Sequence, residues 1–534
     1  MGSSFTRRNA LKGGALGAVG VVGLGVPLGG SLRAKVASQL AAAKMPRPYQ
    51  RAFANPPVLI GQPGTEFAPA QFFEVASKAG VVEIAPGIGT PIWGYNGIFP
   101  GPTIEVERGV PSVVRVRNKL PATHPMFGHV FRTSTHLHGS ASKPQYDGYA
   151  NDLTVPGFYK DYRYPNLQEA RTLWYHDHAV HETAFNVYTG LAATYLIHDD
   201  LERSLLPQGE FDVPVVVTDC LLAADGGLAY DDNGHSGLWG DIILVNGVPW
   251  PVLKVKPRIY RFRVLAATLG RSFRFTLSNG APVWIVATDA GLVPAAQQVT
   301  QWRQSQAERY EVLIDFRGYQ PGTSIELRNL SNKNNVNYAN TGAVMRFDVV
   351  AASGDDQGST LDTIPGALDP DEPTMRLRET DAIRKRSFRL QRKHGLWTIN
   401  GETWDDVVAS GFQHVQANPD LDEVEIWTIE NRSGGWFHPT HVHLVDFQIL
   451  DRNGKPPFAW ERGPKDVVYL GENETVRLLM RFGPHRGRYM MHCHNLPHED
   501  HDMMTQFSVG YRAGDPDPND PIAADPPRVD DLPG

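Results

Sequence analysis

The stretch Tyr95-Asn96-Gly97 has two counterparts further along the chain, Val245-Asn246-Gly247 and Ile399-Asn400-Gly401, at spacings of 150 and 154 residues. Asn-Gly is common in two-residue hairpin turns, because both residues accept a positive φ. After each copy comes a short run in which apolar and polar residues alternate, at residues 113–118, 260–264 and 424–429. Such alternation indicates a half-buried β-strand. The shared spacing predicts an all-β chain of three similar domains.

Length and composition agree with this organisation. The chain has 534 residues, more than one ordinary domain, and its 52 Gly and 41 Pro favour short strands joined by turns. We predict β-sandwich domains over residues 44–205, 206–355 and 356–513, with a polar Gly/Ser-rich linker near residues 351–360. The acidic, Pro-rich tail at residues 514–534 is predicted to be disordered, and we assign it no function.

Residues 1–43 are interpreted as an export signal and leader. Thr6-Arg7-Arg8-Asn9-Ala10-Leu11-Lys12 is a twin-arginine pattern, followed by an apolar, Gly-rich stretch at residues 15–29. This route exports folded proteins and predicts a periplasmic, cell-surface or secreted location, with no stable membrane anchor after cleavage. No other stretch is long and apolar enough to span a membrane. The net charge of -7, without a basic cluster, argues against nucleic acid as a partner.

Four His-X-His pairs follow the repeat, namely His136/His138, His176/His178, His441/His443 and His492/His494. The first and third pairs begin 40 and 41 residues after Asn96 and Asn400, whereas the middle copy has no His at the equivalent position near Val286. The second and fourth pairs also correspond, with Asp177 at the position of Cys493. The first and third domains are therefore predicted to carry matching metal-binding strands, and the second domain none.

These pairs can supply a multinuclear metal site. Residues two apart on a strand point to the same face, so two domains with two pairs each would bring eight imidazoles to one interface. Eight imidazoles suit three ions with two, three and three ligands, but imidazole binds copper, zinc, iron and nickel alike. Packed or surface histidines are the alternative for any one pair. A multi-zinc hydrolase is the alternative for all four pairs, although it would have no use for Cys493.

Cys493 points away from the two imidazoles beside it if the tripeptide is a strand. With His438, His498 and Met503 it makes the ligand set of a blue-copper site, although core packing is an alternative for Met503. The backbone then links the sulfur to the neighbouring imidazoles. Electrons taken up one at a time at Cys493 can pass to a cluster that stores them. Four coppers supply the four electrons that reduce dioxygen to two waters.

In combination these motifs resemble the three-domain multicopper oxidases, over essentially the whole chain after the leader. The motifs are His136-Leu137-His138-Gly139, Trp174-Tyr175-His176-Asp177-His178, His438-Pro439-Thr440-His441-Val442-His443-Leu444 and His492-Cys493-His494 through Met503. The resemblance implies three tandem cupredoxin-like Greek-key domains and four copper ions. It assigns type 1 copper to His438, Cys493, His498 and Met503, and type 2 copper to His136 and His441. The type 3 pair would take His138, His176 and His494 on one ion, and His178, His443 and His492 on the other.

Within the family, residues 495–504 look most like the bilirubin oxidases and the bacterial spore-coat laccases. Trp436 is similar to a Trp that bilirubin oxidases carry beside the type 1 site, with a core indole as the alternative. Glu499 and Asp147 match acidic residues that the spore-coat laccases place near the cluster. The resemblance implies that these two carboxyl groups donate protons for water formation, with surface carboxylates as the alternative.

The resemblance implies a copper-dependent oxidoreductase whose partners are dioxygen and a small aromatic or tetrapyrrole reductant. Phenols, aromatic amines and bilirubin-like tetrapyrroles qualify, and we expect the donor to dock near an edge of His498. Oxidation of cuprous or ferrous ion is the main alternative, although the chain has only ten Met and no Met-rich insertion to gather copper(I). A non-catalytic electron carrier would leave eight histidines unexplained, and a copper nitrite reductase would lack a complete type 3 set.

Overall fold

The computed structural model describes residues 37–63, 66–352, 354, 356–512 and 514–530. The twin-arginine motif predicted as an export signal lies outside these residues. Among the residues that are described, no helix is both long enough and apolar enough to cross a membrane. A short 3-10 helix at Ala42–Lys44 precedes the first strand.

The N-terminal segment, residues 58–198, forms two sheets. Its strands are β1 (Val58–Leu59), β2 (Gln71–Glu83), β3 (Gly89–Tyr95), β4 (Thr103–Glu107), β5 (Ser112–Lys119), β6 (Thr135–His138), β7 (Phe158–Tyr164), β8 (Arg171–Asp177) and β9 (Ala192–His198). One sheet has the order β1-β4-β9-β8-β6, and the other contains β3-β2-β5-β7. A 3-10 helix at Pro144–Tyr146 precedes β7, helix α1 (Thr183–Thr189) precedes β9, and α2 (Asp200–Leu205) follows it.

The middle segment, residues 212–349, also forms two sheets, after a 3-10 helix at Gly209–Phe211. Its strands are β10 (Asp212–Cys220), β11 (Ile242–Val245), β12 (Val248–Pro249), β13 (Val252–Val255), β14 (Ile259–Ala266), β15 (Phe273–Leu277), β16 (Val283–Thr288), β17 (Gly291–Val299), β18 (Gln301–Gln304), β19 (Arg309–Asp315), β20 (Ser324–Asn329) and β21 (Ala343–Val349). The sheet orders are β12-β11-β10-β14-β19-β16-β17 and β13-β21-β20-β15-β18.

The C-terminal segment, residues 384–509, repeats the arrangement. Its strands are β22 (Arg384–Lys393), β23 (Leu396–Ile399), β24 (Val424–Asn431), β25 (His438–Val442), β26 (Phe447–Arg452), β27 (Val467–Leu470), β28 (Thr475–Arg481), β29 (Gly487–Cys493) and β30 (Met504–Val509). The sheet orders are β23-β22-β24-β28-β26 and β27-β25-β29-β30. Helices α3 (Trp404–Ala409) and α4 (Leu496–Asp500) and a 3-10 helix at Ala459–Glu461 complete it, and another 3-10 helix at Glu379–Asp381 precedes it.

Each segment buries one core between its two sheets, as a β-sandwich does. In the C-terminal segment, for example, Trp427 on β24 and Leu478 on β28 share a core with Met491 on β29 and Phe507 on β30. The all-β prediction is therefore confirmed. The predicted domain boundaries near residues 205 and 355 lie between the segments and stay predictions.

The three Asn-Gly turns have the same conformation. Asn96, Asn246 and Asn400 have φ values of 56°, 49° and 55°, and the Gly after each also has a positive φ. Each turn directly follows β3, β11 or β23, and its Asn side-chain oxygen accepts a backbone hydrogen bond of 2.8–2.9 Å from the preceding strand, β2, β10 or β22. In every segment this preceding strand pairs antiparallel with the strand that ends at the turn and parallel with the alternating strand. The repeat seen in the sequence is a repeat of structure.

The alternating strands are confirmed, but the expectation that they are half-buried was wrong: β14 is buried along its whole length, and β5 and β24 each have only two partly exposed residues. The charged residues Arg261 and Arg263 of β14 point into an ion-pair network between segments. Arg261 Nε donates to Glu311 Oε2 at 2.9 Å, and Arg263 Nε donates to Asp212 Oδ1 at 2.8 Å. Both guanidinium groups also bond to Glu202 of α2. Paired carboxylates allow these charges to be buried.

The C-terminal tail is not disordered over residues 514–530, contrary to the prediction. A final strand, β31 (Arg528–Val529), pairs antiparallel with β7 and extends the sheet to β3-β2-β5-β7-β31. The next residue, Asp530, forms an ion pair with the buried Arg117, and Asp520 forms one with Arg488. The tail therefore connects the N-terminal and C-terminal segments through paired charges, which composition alone does not reveal.

Removing the Asp530 carboxylate should destabilise the protein. Arg117 is only 4% exposed at its side chain, and Asp530→Ala leaves Glu74 as its remaining ion-pair partner. We expect a loss of about 1–3 kcal/mol in the free energy of unfolding, the cost of a buried group that loses a partner. Urea unfolding followed by tryptophan fluorescence measures it. Asp515→Ala, on an exposed part of the tail, is the control; equal stability of the two variants would contradict a docked tail.

Candidate metal centre

Two strand pairs carry the His-X-His motifs in the same register. The matched positions are His136/His176 and Thr135/Asp177 on β6 and β8, and His441/His492 and Thr440/Cys493 on β25 and β29. The correspondence predicted from spacing is therefore confirmed residue by residue, including Asp177 at the position of Cys493.

All eight paired histidines are buried where the N-terminal and C-terminal segments meet. The rings of His138 and His441 stack with their centroids 3.7 Å apart, and the Nε2 atoms of His178 and His492 are 3.2 Å apart. Groups of three imidazoles bring one nitrogen each within 4.8 Å of one another, including His136/His138/His176, His136/His441/His443 and His178/His443/His492. The histidines predicted to share one interface do share it.

Several of these imidazoles have one nitrogen held by the protein and the other left without a partner. The buried unpaired atoms include Nε2 of His136, His176 and His441, and Nδ1 of His138. In the first three, Nδ1 donates to a main-chain carbonyl at 2.5–2.8 Å. Buried polar atoms are normally paired, so a converging set of unpaired nitrogens indicates a bound ion.

The two predicted acidic residues lie against the cluster. The Asp147 carboxylate is 2.8 Å from His443 Nδ1, and its carbonyl accepts from His136. Glu499 Oε2 is 2.9 Å from His492 Nδ1, and its other oxygen is 3.6 Å from His178 Nδ1. Both carboxyl groups are buried, so the surface-carboxylate alternative is excluded for both.

A second group lies on the other face of β29. Cys493 Sγ is 3.4 Å from His438 Nδ1 and 3.7 Å from His498 Nδ1, and these two nitrogens are 3.1 Å apart. Met503 is fully buried in the same core, and its carbonyl accepts from the Cys493 N–H at 3.0 Å. Strand alternation thus sends Cys493 to one group and His492 to the other, as predicted.

His498 is completely covered, which the sequence did not indicate. Its Nε2 donates to the Ser236 carbonyl at 3.1 Å, from a loop of the middle segment. The Trp397 ring packs on it with centroids 4.0 Å apart, and Trp397 Nε1 donates to the His235 carbonyl at 2.8 Å. Trp436 meets the same imidazole edge-on at 5.6 Å. The loop and the two indoles therefore lie between this imidazole and any docked donor, and docking near an edge of His498 stays a prediction.

In the N-terminal segment, the residue that corresponds to Cys493 is Asp177, and it accepts hydrogen bonds instead of facing a metal-binding group. The Asp177 carboxylate accepts from the Ser134 and Ala179 N–H groups at 3.0 Å and from Asn186 Nδ2 at 2.9 Å. All of its acceptors face protein donors. Asp177 is therefore a structural residue that orders the loop between β8 and α1.

One residue at the cluster was missed altogether. Asp466, just before β27, lies 3.1 Å from His138 Nε2, and its carbonyl accepts from His441 Nδ1 at 2.8 Å. Its carboxylate forms an ion pair with Arg309 of the middle segment. Asp466 belongs to no recognisable motif, and only the fold brings it to the histidines.

The donor set fits copper. Burial lowers the pKa of His176 and His438 to about 3 and that of His178 to about 4, so these imidazoles stay neutral at pH 7, the form that binds metal. Burial also raises the pKa of the Cys493 thiol well above its usual range, so the thiolate forms only against a bound cation. Neutral imidazoles with one thiolate and a buried Met are ligands that copper prefers.

Comparison with known proteins identifies the family. Two family models described as multicopper oxidase match residues 78–202 and 375–512. Bilirubin oxidase of Albifimbria verrucaria is 42% identical over 457 residues, which cover 82% of this chain and 76% of the relative. Laccase of Bacillus subtilis is 34% identical over 473 residues, 79% of this chain and 90% of the relative. The crystal structure of McoA multicopper oxidase from Aquifex aeolicus matches with a TM-score of 0.74 at 27% identity, covering 86% of this chain and 99% of that one.

These similarities carry over to the fold and the cofactor. The neighbours are multicopper oxidases with cupredoxin-like domains, and the family uses four copper ions. The histidine cluster and the Cys493 group described above are the matching parts of this chain. The chain belongs to the multicopper oxidase family.

Proposed function

We propose that the two groups of side chains divide the work of an oxidase that couples one-electron oxidation of an organic donor to reduction of dioxygen to water. His438, Cys493, His498 and Met503 would hold the copper that receives electrons. The eight paired histidines would hold the other three, with His136 and His441 on one ion. His138, His176 and His494 would serve the second ion, and His178, His443 and His492 the third. When bound, the coppers supply one-electron redox chemistry and together deliver four electrons to dioxygen.

The observation that carries this proposal is the opposite orientation of neighbouring side chains on β29. Cys493 Sγ lies within 3.7 Å of both His438 and His498, while His492 Nε2 lies 3.2 Å from His178 on the other face. A few covalent bonds along the backbone therefore join the two groups. An electron carrier needs only the first group, whereas an oxidase needs both.

Protons for water formation would come from Glu499 and Asp147. Both are buried beside cluster imidazoles, at 2.9 Å from His492 and 2.8 Å from His443. A carboxyl group within hydrogen-bond reach of the cluster can donate a proton and then be reprotonated by solvent. The two lie on different segments, so protons could be delivered from two sides.

As donor we propose a phenol, an aromatic amine or a bilirubin-like tetrapyrrole. The names of the relatives, bilirubin oxidase and laccase, support this class. The surroundings of His498 support it too, because two indoles and a backbone carbonyl cover the imidazole, and indole rings can stack on an aromatic donor. Electrons would enter through this cover rather than by direct contact with the imidazole.

Steady-state oxygen uptake with copper-loaded protein tests the donor class. We expect kcat/KM for bilirubin or a simple phenol to exceed that for cuprous or ferrous ion by at least about 10-fold, a difference of about 1.4 kcal/mol in transition-state stabilisation. Higher efficiency with either metal ion would favour the alternative of a metal-ion oxidase. No oxygen uptake with any donor would favour a non-catalytic electron carrier.

For localisation we propose export by the twin-arginine route to the periplasm, the cell surface or the medium. The motif Thr6-Arg7-Arg8-Asn9-Ala10-Leu11-Lys12 supports it, and so does the need of both clusters for metal within a folded chain. Replacement of both arginines by lysine should retain the protein in the cytoplasm, which cell fractionation would reveal.

A further inference from the structure

Asp147 and Asp466 contact the histidine cluster in the same crossed pattern. Each uses its main-chain carbonyl on the first histidine of its own segment's pair, Asp147 on His136 at 2.5 Å and Asp466 on His441 at 2.8 Å. Each also directs its carboxylate to the second histidine of the other segment's pair. Asp147 reaches His443 at 2.8 Å and Asp466 reaches His138 at 3.1 Å. The two aspartates thus correspond residue by residue, although Asp147 contacts Nδ1 of His443 and Asp466 contacts Nε2 of His138.

This pattern decides which nitrogen each imidazole can offer to an ion. A carbonyl accepts only from an N–H, so it fixes the proton of His441 on Nδ1 and leaves Nε2 unpaired. On His138 the Asp466 carboxylate takes Nε2 instead, and Nδ1 is the unpaired atom. His138 is therefore turned over relative to His441, although the two rings stack at 3.7 Å. One residue sets the orientation of both rings.

Asp466 is itself held rigidly from the middle segment. Arg309 Nη1 donates to Asp466 Oδ1 at 2.7 Å, and Nη2 donates to Oδ2 at 2.5 Å, a two-pronged contact that fixes the plane of the carboxylate. Arg309 is in turn fixed by donating to the carbonyls of Thr172 and Asp289 at 2.9 and 2.8 Å. Both members of the pair are fully buried. The middle segment, predicted to have no ligands, reaches the cluster through this arginine.

We propose that Asp466, clamped by Arg309, is a positioning residue that sets His138 and His441 for two different copper ions and is the C-terminal counterpart of Asp147. The inference rests on the proposed function, because it takes the ligand set assigned there. Outer-shell partners of metal-binding imidazoles fix the tautomer and ring orientation, and their loss costs about 10–100-fold in metal affinity or activity.

The test is Asp466→Asn, which keeps the main-chain carbonyl and the side-chain volume but removes the charge and one acceptor. We expect the blue colour of the type 1 site to persist, because Cys493 and its partners are untouched. We expect copper affinity of the cluster, measured by chelator competition, to fall about 10–100-fold. The electron paramagnetic resonance signal of the type 2 copper should change, because His138 loses its charged partner and its ring stacks on the type 2 ligand His441.

A matched control is Asp219→Asn. Asp219 is a buried carboxylate paired with Arg271 at 2.7 Å in the middle segment, and its side-chain partners do not include a cluster histidine. It should keep the copper affinity and the resonance signal of the unmutated protein. Arg309→Lys is a second test of the same role if Asp466→Asn folds poorly. Lysine keeps the positive charge but loses the two-pronged contact with the Asp466 carboxylate.

If Asp466→Asn and Arg309→Lys bind copper and give the resonance signal of the Asp219→Asn control, the positioning role is overturned. That result leaves the proposed function intact as long as the unmutated protein consumes oxygen. Conversely, an unmutated, copper-loaded protein without oxygen uptake refutes the proposed function, whatever the copper affinity of the variants. The two failures are therefore distinguishable.

Discussion

Replacing Cys493 by serine is expected to abolish the blue colour and to reduce oxygen uptake to background. The serine hydroxyl does not ionise against copper as a thiol does, so the type 1 site loses the ligand that accepts and passes on electrons. The loss should exceed the about 10–100-fold effect of removing an outer-shell partner. Bound copper should fall from four ions per chain to three. Visible absorption, metal analysis and oxygen uptake on the same sample measure these three effects.

The second cysteine provides the control for this experiment. Cys220 is also free and buried, but it lies in the core of the middle segment rather than beside a histidine. Cys220→Ser removes the same sulfur atom from a comparable environment and should leave colour and activity intact. A blue, active Cys493→Ser protein would refute the assignment of Cys493 to the electron path.

Replacing Glu499 should separate the two half-reactions. Glu499→Leu is expected to keep the blue colour and its bleaching by an anaerobic donor, yet to lose dioxygen turnover by about 10²–10⁴-fold, the usual contribution of a general acid. The reason is its position, 2.9 Å from His492 and on the cluster side of the molecule. Stopped-flow reduction without oxygen measures the first half-reaction, and oxygen uptake measures the complete cycle.

Because Glu499 also contacts His178 and His492, a leucine there could disturb copper binding rather than proton supply. Glu499→Gln resolves this, since its amide oxygen still accepts from His492 but the group has no acidic proton to give. We expect full copper content with the same loss of turnover. Glu461→Gln, at a buried carboxylate paired with Arg452, is the control for a charge removed from the same segment. Unchanged turnover in Glu499→Gln would exclude the proton role.

Much of the fold could be predicted because the repeat is marked by short sequence motifs whose conformation is set locally. Asn96, Asn246 and Asn400 each need a positive φ that few residues accept, so Asn-Gly marks the same turn three times. Histidines two apart on a strand share a face whatever the tertiary structure, which is why the four pairs predicted one cluster. The family resemblance added the roles of Glu499 and Asp147, and the structure brings both beside the cluster.

Other features could not be predicted because their partners are distant in sequence and are often main-chain atoms. The carbonyl that covers His498 belongs to Ser236, and any residue there has the same carbonyl. Asp466 contacts His138, which is 328 residues away in sequence. Its carboxylate is held by Arg309, which belongs to the middle segment, where no metal ligand was predicted. Arg261 and Arg263 alternate with apolar residues, as surface-facing residues of a strand do. Both are nevertheless buried, because carboxylates pair with their charges. The hydrophobic pattern of a sequence shows which residues are polar, but it does not show which of them will be paired with an opposite charge and buried.

The eight-histidine interface has a consequence for how the chain is held together. Both cysteines are free, so no disulfide joins distant parts of the chain. Copper bound between the 136–178 and 441–494 regions would act as a removable cross-link that closes loops of several hundred residues. Closing so long a loop lowers the chain entropy of the unfolded state in the way a disulfide does. The catalytic ions would therefore also hold the N-terminal and C-terminal segments together. Copper loading would raise the free energy of unfolding as well as supply the redox chemistry.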